Sequence, residues 1–440
     1  MLKTMKKLRL LTLIKKIWII GPILIKLNYH LRLNYYIKNI SIIFFVPIAI
    51  PLIFLIRAIK PIIHIRFRFI STPQIGHFIA DTGILLCESV IDNNNIKDWY
   101  WLQKPISNSQ IEKMVKRIFY VRWWVRYLYI ANHFIPGGKQ HSLPPPRNLN
   151  GSRDVKGLLY KTKNEKKAYL PFTEKEEIEG KEYLKEIGLK GSDKFVCLLV
   201  RDGNYQDVFQ TNNDWSYHNY RNSDIDTYSK AAIALAKKGY WVFRMGKFVL
   251  KPFDCKHKKV IDYSLSSERN DFLDIWLMSH CSFCITTSTG LDEASKAYRR
   301  PLALLNFLPI GDIHSYISAI TYFKQLRWKK NNKKLTLTEY FNNDYYNYQE
   351  YQENEIDIID LTEDEIKDAV LEMEERFSGK WKDEKNDIEL QNKFWQLYKA
   401  RQKSEGISIY QKKKLIENSF LHPESKISTT FLRNNLESLG

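Results

Sequence analysis

The chain has 440 residues, 44% hydrophobic and 14% aromatic, which is too long for one ordinary core and too apolar for wholesale disorder, so two domains plus appendages are expected. The net charge of +19 is unevenly placed: up to Ala80 there are 13 Lys or Arg and no Asp or Glu. Beyond that point the two signs nearly balance and no nucleic-acid-binding motif appears, which argues against a nucleic-acid partner. The five cysteines, Cys87, Cys197, Cys255, Cys281 and Cys284, are odd in number and scattered. They suit a reducing compartment rather than a disulfide framework, and Cys281 and Cys284 read as buried small hydrophobes.

In chain order, Leu8 to Leu33 mixes Leu, Ile and Trp18 with Lys15, Lys16, Lys26 and Arg32, the mixture of a segment lying on anionic lipid. Ile40 to Ile56 is almost wholly apolar but slightly short of the roughly 20 residues of a spanning helix, and Pro47 and Pro51 interrupt it. Residues 1–60 are therefore expected to form a basic hydrophobic segment, interfacial or anchored, with an anionic membrane surface as partner. Whether 40–56 crosses the bilayer is left open.

Residues 61–189 read as a first α/β domain. Ile62 to Ile70 is a strand carrying Arg66 and Arg68 on one face, and Ile79 to Cys87 is a helix. Gly76 and His77 lie between them, at a strand tip where open α/β sheets place ligand contacts. A strand at Asp98 to Leu102 and one long helix from about Gln110 to Ala131 follow, then a loop, Pro136 to Pro146. Thr173 to Glu176 is a capping box opening a helix to about Glu186, closed by Gly188. Polar Lys190 to Lys194 marks the boundary.

Residues 190–340 alternate regularly. Strands are expected at Phe195–Val200, Tyr240–Met245, Val260–Asp262, Phe283–Thr286 and Leu302–Asn306, with helices at Asp224–Lys238, Asp271–Ser279 and Asp292–Arg299. Apolar strands alternating with helices mean a parallel sheet covered on both faces, a Rossmann-like arrangement. All its strands end on one edge, so Arg201, Asp202, Arg244, Gly246, Lys247 and the turn Thr287, Ser288, Thr289, Gly290 share a rim. Cations and a helix N-terminus together suit a diphosphate. The turn is equally open to reading as an ordinary helix cap, and Asp292, at its start, could instead accept sugar hydroxyls. Between the first strand and its helix lies Asp214, Trp215, Ser216, Tyr217, His218, Asn219, Tyr220 and Arg221. Flat apolar rings beside hydrogen-bonding groups suit a sugar or acceptor, together with Arg66 and Gly76. A loop packed down by its own aromatics is the alternative.

In the C-terminal extension, 341–440, Thr362 to Glu365 caps a helix to about Phe377 and Ile388 to Ala400 forms a second. Tyr345 to Asn354 reads as a polar connection and Arg401 to Gly440 as irregular structure.

The runs Arg-Phe-Arg-Phe-Ile-Ser-Thr-Pro-Gln-Ile-Gly-His-Phe (66–78), Leu-Leu-Val-Arg-Asp (198–202), Asp-Trp-Ser-Tyr-His-Asn-Tyr-Arg-Asn-Ser-Asp-Ile-Asp-Thr-Tyr (214–228), Tyr-Trp-Val-Phe-Arg-Met-Gly-Lys (240–247), Arg-Asn-Asp-Phe-Leu-Asp-Ile-Trp-Leu (269–277) and Thr-Ser-Thr-Gly-Leu-Asp (287–292) together resemble a family of bacterial glycosyltransferases of surface-polysaccharide gene clusters. The likeness runs from about Arg57 to Asn434. It implies an α/β fold of two Rossmann-like domains, GT-B-like, with a nucleotide-sugar donor on the second domain and a lipid-linked or glycan acceptor on the first. It also implies that a C-terminal helix crosses back onto the first domain. The implied activity is glycosyl transfer at the cytoplasmic face of a bacterial inner membrane, the alternative being a non-catalytic glycan-binding or assembly protein. No catalytic residue is carried over from the family. From the rim, His77 is the candidate base and Asp202 its substitute. Asp224-Ile-Asp226 sits at a helix start and reads as a cap rather than a metal ligand, so no metal or other cofactor is expected.

Overall fold

The computed structural model describes residues 40–91, 95–142, 154, 156–204, 208, 214–403 and 420–435. The basic segment Leu8 to Leu33 lies outside them. By its internal contacts the chain divides into two compact units, one drawn from the described parts of Met1–Phe69, Asn93–Leu102 and Phe119–Pro144, the other from Ile70–Asp92, Gln103–Ile118 and Pro145–Gly440. These divisions fall at other places than the expected boundaries at 60/61 and 189/190.

The first unit holds α1 (Ile40–Ala58), β1 (His64–Ile70), β2 (Ile96–Leu102), β3 (Tyr120–Val121) and the helix Val125–Phe134, with its three strands in the order β1-β2-β3. Ser41–Ala58 is long and apolar enough to cross a membrane by length and composition. The long helix expected over 110–131 is instead two helices with β3 between them. Tyr120 and Val121 pair in parallel with Trp99 and Tyr100, and Tyr120 packs its ring 5.4 Å from Trp99. Aromatic and β-branched side chains favour such pairing over a helical turn. Arg66 and Arg68 both bind Asp98, at 2.6 and 3.1 Å, across this sheet. The expected acceptor role of Arg66 therefore falls on a guanidinium already engaged by a carboxylate.

In the second unit α2 (Ile75–Ile91), α3 (Ser109–Ile118), α4 (Glu174–Ile187) and α5 (Ser229–Lys237) accompany β4 (Phe195–Leu199), β5 (Trp241–Arg244) and β6 (Val260–Ile261). They are followed by α6 (Asp271–His280), β7 (Cys284–Thr286), α7 (Asp292–Ala297), β8 (Leu302–Phe307), β9 (Ala319–Phe323), β10 (Gln325–Trp328), β11 (Ile356–Ile359), α8 (Glu363–Phe377), α9 (Lys385–Lys403) and β12 (Ser425–Ile427). Seven strands form one sheet in the order β12-β9-β8-β7-β4-β5-β6, and every pairing in it is parallel. Strands β4, β5, β7, β8 and β9 are buried at every residue, as a sheet covered on both faces requires. The mixed α/β class with parallel strands and an apolar helix ahead of them is thus the fold.

Local signals set most boundaries. The capping boxes at Thr173/Glu176 and Thr362/Glu365 are both made, and Gly188 closes α4 at φ 104°. Asp224 accepts from the Asp226 N–H and opens a short 3-10 turn ahead of α5, so it is a cap. In this unit the structure also departs from expectation at α2, in the 345–354 connection and in the C-terminal tail. Helix α2 begins at Ile75, enclosing Gly76 and His77. The 345–354 connection contains a helix, Tyr348–Glu353. Within 401–440, β12 joins the parallel sheet beside β9. Both C-terminal helices belong to the second unit: Lys238 at the end of α5 pairs with Glu374 of α8 at 2.8 Å, and Phe394 of α9 stacks on Phe323 of β9. All five cysteines are free, and all but Cys255 are buried.

Candidate functional site

The chain makes β4, β5 and β6 toward one edge of the sheet, then returns to lay β7, β8 and β9 on the other side of β4. The order reverses between β4 and β7, and the crevice beyond the carboxyl ends at such a reversal is where open α/β sheets bind ligands. Val200 to Asp202 leave β4 there and Thr287 to Gly290 leave β7. The Arg201 N–H donates to Thr287 Oγ1 at 2.9 Å, tying the two strand exits together.

Two guanidinium groups occupy this point. Arg201 Nε donates to Asn222 Oδ1 at 3.1 Å, and Arg221 donates to the Ser288 carbonyl. Arg201 is held down to about 10, first by burial and then by the like charge of Arg221. Ser288 has φ 63°, a left-handed conformation that a non-glycine residue holds only when its surroundings impose it, as functional sites often do. His218, driven down to about 3 by burial and then by Arg221 and Arg201, is neutral at pH 7. Its buried Nδ1 has no hydrogen-bond partner among the described residues. It lies over Tyr217, ring centroids 4.0 Å apart, and parallel to Trp215 at 6.2 Å. Asn219 and Asp214 are exposed, Asp214 accepting from the Ser216 N–H, while Tyr220 is buried, its ring 5.9 Å from Tyr351. The 214–221 loop is thus packed by its own rings, as one of its two expected readings has it, and it also brings Arg221 to the switch point.

The turn after β7 differs from expectation. Helix α7 has only six residues. The Ser288 N–H donates to Thr286 Oγ1 at 3.1 Å and the Thr289 N–H to Asp292 Oδ2 at 3.1 Å. Asp292 is fully buried, also accepts from Thr286 at 3.0 Å, and pairs with Lys296 at 3.1 Å. It is a cap for its own turn rather than a ligand for sugar hydroxyls, because a carboxylate at a positive helix end captures the free N–H groups first. Gly290 serves another purpose. A Cβ on Gly76 would lie 2.9 Å from Gly290 Cα, and one on Gly290 would lie 3.1 Å from Gly76 N. The two glycines let α2 seat its first turn directly on the β7 exit, which puts exposed His77 next to it. His77 therefore belongs to the same unit as the sheet and not to an opposing domain.

Other rim residues separate. Arg244 is 1% exposed, still inside β5, and binds Asp262 at 3.2 Å and Ser264 at 2.5 Å. It is part of the core and not of the rim. Gly246, at φ 147°, opens the turn after β5, and Lys247 faces Asp271 at 3.5 Å. Asp202 accepts the Asn204 N–H at 3.1 Å and the Leu250 N–H at 2.7 Å, which makes it a brace between the loops after β4 and β5. Beside it a cleft of about 390 Å³ is lined by Asp202, Asn222, Ser223, Asp224, Lys251 and Asp360 among others.

Two residues were passed over in the sequence. In the loop after β8, burial pushes the Asp312 carboxyl up to about 6 against the pull of Arg221 and Lys296, and pushes the His314 imidazole well down, with the same two cations adding to the effect. Buried His314 Nδ1 has no hydrogen-bond partner among the described residues. The signal was available: Gly311-Asp-Ile-His314 follows a strand that ends on the same rim. Among the described residues no group of three or more His, Cys, Asp or Glu is placed to hold a metal ion.

The fold and this crevice define a doubly wound α/β protein with two guanidinium groups at its switch point. No protein-family model and no curated protein matches the chain. Among solved structures it is similar to a glycosyl transferase of family 9 from Veillonella parvula, at 12% identity over 60% of this chain and 86% of the other, TM-score 0.38. It is also similar to the ADP-heptose lipopolysaccharide heptosyltransferase II of E. coli, at 12% identity over 59% and 90%, TM-score 0.32. A third is S. aureus MnaA, solved with UDP, at 10% identity over 54% and 78%, TM-score 0.23. At these TM-scores the likeness by itself assigns no activity.

Proposed function

We propose that the seven-stranded unit binds the diphosphate of a nucleotide-activated sugar at the β4/β7 switch point. On this reading the chain is a glycosyltransferase that delivers the sugar to a lipid-linked or growing surface glycan at the cytoplasmic face of a bacterial inner membrane. The guanidinium pair of Arg201 and Arg221 beside the Thr287–Gly290 turn carries the proposal. Two like charges held together in a half-enclosed crevice repel, and a bridging diphosphate replaces that repulsion with charge-assisted hydrogen bonds.

In the transfer, the acceptor oxygen bonds to the anomeric carbon while the bond from that carbon to the diphosphate oxygen breaks. The electron pair goes to the diphosphate, where Arg201 and Arg221 stabilise it. The acceptor hydroxyl's proton goes to a base, for which exposed His77 beside the β7 exit is the candidate. Asp202 is the weaker candidate, since both of its oxygens already accept backbone N–H groups. The stacked faces of Trp215 and Tyr217 suit the apolar side of a sugar ring.

The test is thermal denaturation of the full chain with a panel of nucleoside diphosphates and nucleotide sugars, followed by turnover with a glycan or lipid-linked acceptor. A ligand at about 100 times its Kd adds about 2.7 kcal/mol, and Arg221→Ala abolishes that gain. Stabilisation without turnover converts the reading to a binding protein, and no stabilisation by any of them overturns it. His77→Ala is expected to lower turnover and leave donor binding unchanged. Loss of turnover on adding a chelator would show that a metal takes part.

A further inference from the structure

The first unit contains an apolar surface that its own core does not need. Helix α1 buries one narrow stripe, Val46, Ala49, Ile53 and Ile56, against Ile65 and Phe67 of β1 and Val125, Leu128 and Ala131 of the following helix. The spacing of three, four and three residues keeps this stripe on one side along the helix. Away from it Ile43, Phe44, Ile48, Leu52, Phe54 and Leu55 are 67%, 65%, 63%, 48%, 57% and 64% exposed, with Phe44, Ile48, Leu52 and Leu55 forming one stripe along the helix. Phe45 extends the patch to Trp123, ring centroids 5.7 Å apart, and Trp123 is itself 66% exposed. Contiguous large apolar side chains on this scale mark an interaction surface.

We infer that α1 is a helix lying in the plane of an anionic bilayer, with its Phe44, Ile48, Leu52, Leu55 stripe entering the lipid and its Val46, Ala49, Ile53, Ile56 stripe remaining on the protein. Three observations favour this over a transmembrane span. The buried stripe runs along the helix, so a spanning α1 would carry its partner helix into hydrocarbon with it. That partner bears Arg126 and His133, and its Asn132 binds the Arg57 guanidinium at 2.7 Å. Arg57 also donates to the Pro136 and Ile135 carbonyls, at 2.6 and 3.1 Å. Such a polar network is expensive in the bilayer centre and ordinary at its surface. Second, Pro47 and Pro51 lie inside the helix and lack the N–H groups that would satisfy the carbonyls four residues earlier. Water among the headgroups can satisfy those carbonyls, whereas hydrocarbon cannot.

Third, the unit that carries the apolar face is strongly basic. Lys60, Arg122 and Lys139 belong to the same unit, and residues 1–39 contain nine Lys or Arg and no Asp or Glu. Basic residues near an anionic leaflet are drawn to it, and a Trp at the edge of such a face suits the headgroup level. The commitment is therefore to lipid rather than to a protein partner. It does not depend on the glycosyltransferase reading.

The experiment uses the full chain in a Cys255→Ser background, the other four cysteines being buried. Phe44→Cys, Ile48→Cys, Leu52→Cys and Leu55→Cys each receive a spin label, and immersion depth is read on phosphatidylglycerol/phosphatidylcholine vesicles. A similar shallow depth at all four positions is expected. Depth that rises to mid-helix and falls at both ends shows a span and overturns the inference, as does the absence of any label from the lipid. An Ile48→Asp, Leu52→Asp variant is expected to lose vesicle binding about tenfold with unchanged melting temperature. Equal binding to vesicles of phosphatidylcholine alone would overturn the electrostatic half of the inference.

Discussion

Two neighbouring strands of one sheet each carry an arginine where they end, and the two have opposite fates. Arg244 closes β5 with its guanidinium sunk in the core against Asp262 and Ser264, whereas Arg201 stands just past β4, beside a second guanidinium, at the point where strand order reverses. The sequence places both at strand ends next to apolar runs. Whether such a cation is neutralised in the core or left beside another cation depends on the partner that arrives from elsewhere in the chain: a carboxylate from β6's exit in one case, Arg221 from the aromatic loop in the other.

Substitutions can break or sharpen this contrast. Arg244→Ala leaves Asp262 beside an empty core position, and breaking such a buried pair is expected to destabilise the unit by about 3 to 5 kcal/mol in urea denaturation, with donor affinity of the folded fraction unchanged. Arg221→Ala should reverse that pattern: donor affinity falls about a hundredfold, as expected for one or two charge-assisted hydrogen bonds, and the urea midpoint barely moves. If both variants lose stability and neither loses affinity, the β4/β7 crevice is no more a site than the β5 end. Gly290→Ala brings a methyl against the first turn of α2 and is expected to lower stability by about 1 to 3 kcal/mol, while shifting turnover through displacement of His77.

The pH dependence probes the same crevice more gently. His218 is held neutral down to about 3, chiefly by burial, while an unfolded histidine protonates near 6.5. Its contribution to stability is therefore complete above pH 6.5 and is lost progressively as pH falls toward 3. The His218→Asn variant should lose less stability than the wild type between pH 6.5 and 4 in urea titrations. The smallest effect is expected for Lys247→Ala. Its ammonium faces Asp271 at 3.5 Å in a partly exposed setting, and such pairs contribute about 0 to 1 kcal/mol, so donor affinity measured by calorimetry should change less than about threefold.

Much of the architecture was legible because it is local. Thr173 with Glu176, Thr362 with Glu365, and Asp224 announce helix starts by side-chain chemistry within three residues. The apolar strands Phe195–Leu199 and Leu302–Phe307 announce a doubly covered sheet. The candidate site was legible only as a rim. Arg201 and the Thr287–Gly290 turn could be placed on it from strand order alone, whereas Asp292's role could not, since its partners Thr286 and Lys296 become neighbours only when the turn closes. Asp312 and His314 were passed over because nothing next to them in sequence reveals Arg221 and Lys296.

By itself, then, the sequence determined where the capped helices and the apolar central strands lie, that those strands run parallel, and that the first 60 residues are basic and apolar. Only the tertiary structure decided that Gly76 meets Gly290, that β12 completes the sheet from the far end of the chain, that Arg244 belongs to the core, and that one side of α1 is covered while the other is bare. The physical reason is range. Caps, turns and apolar periodicity act over one helical turn or one strand, while the partner that neutralises a charge or covers an apolar face comes from tens of residues away and is fixed only by packing.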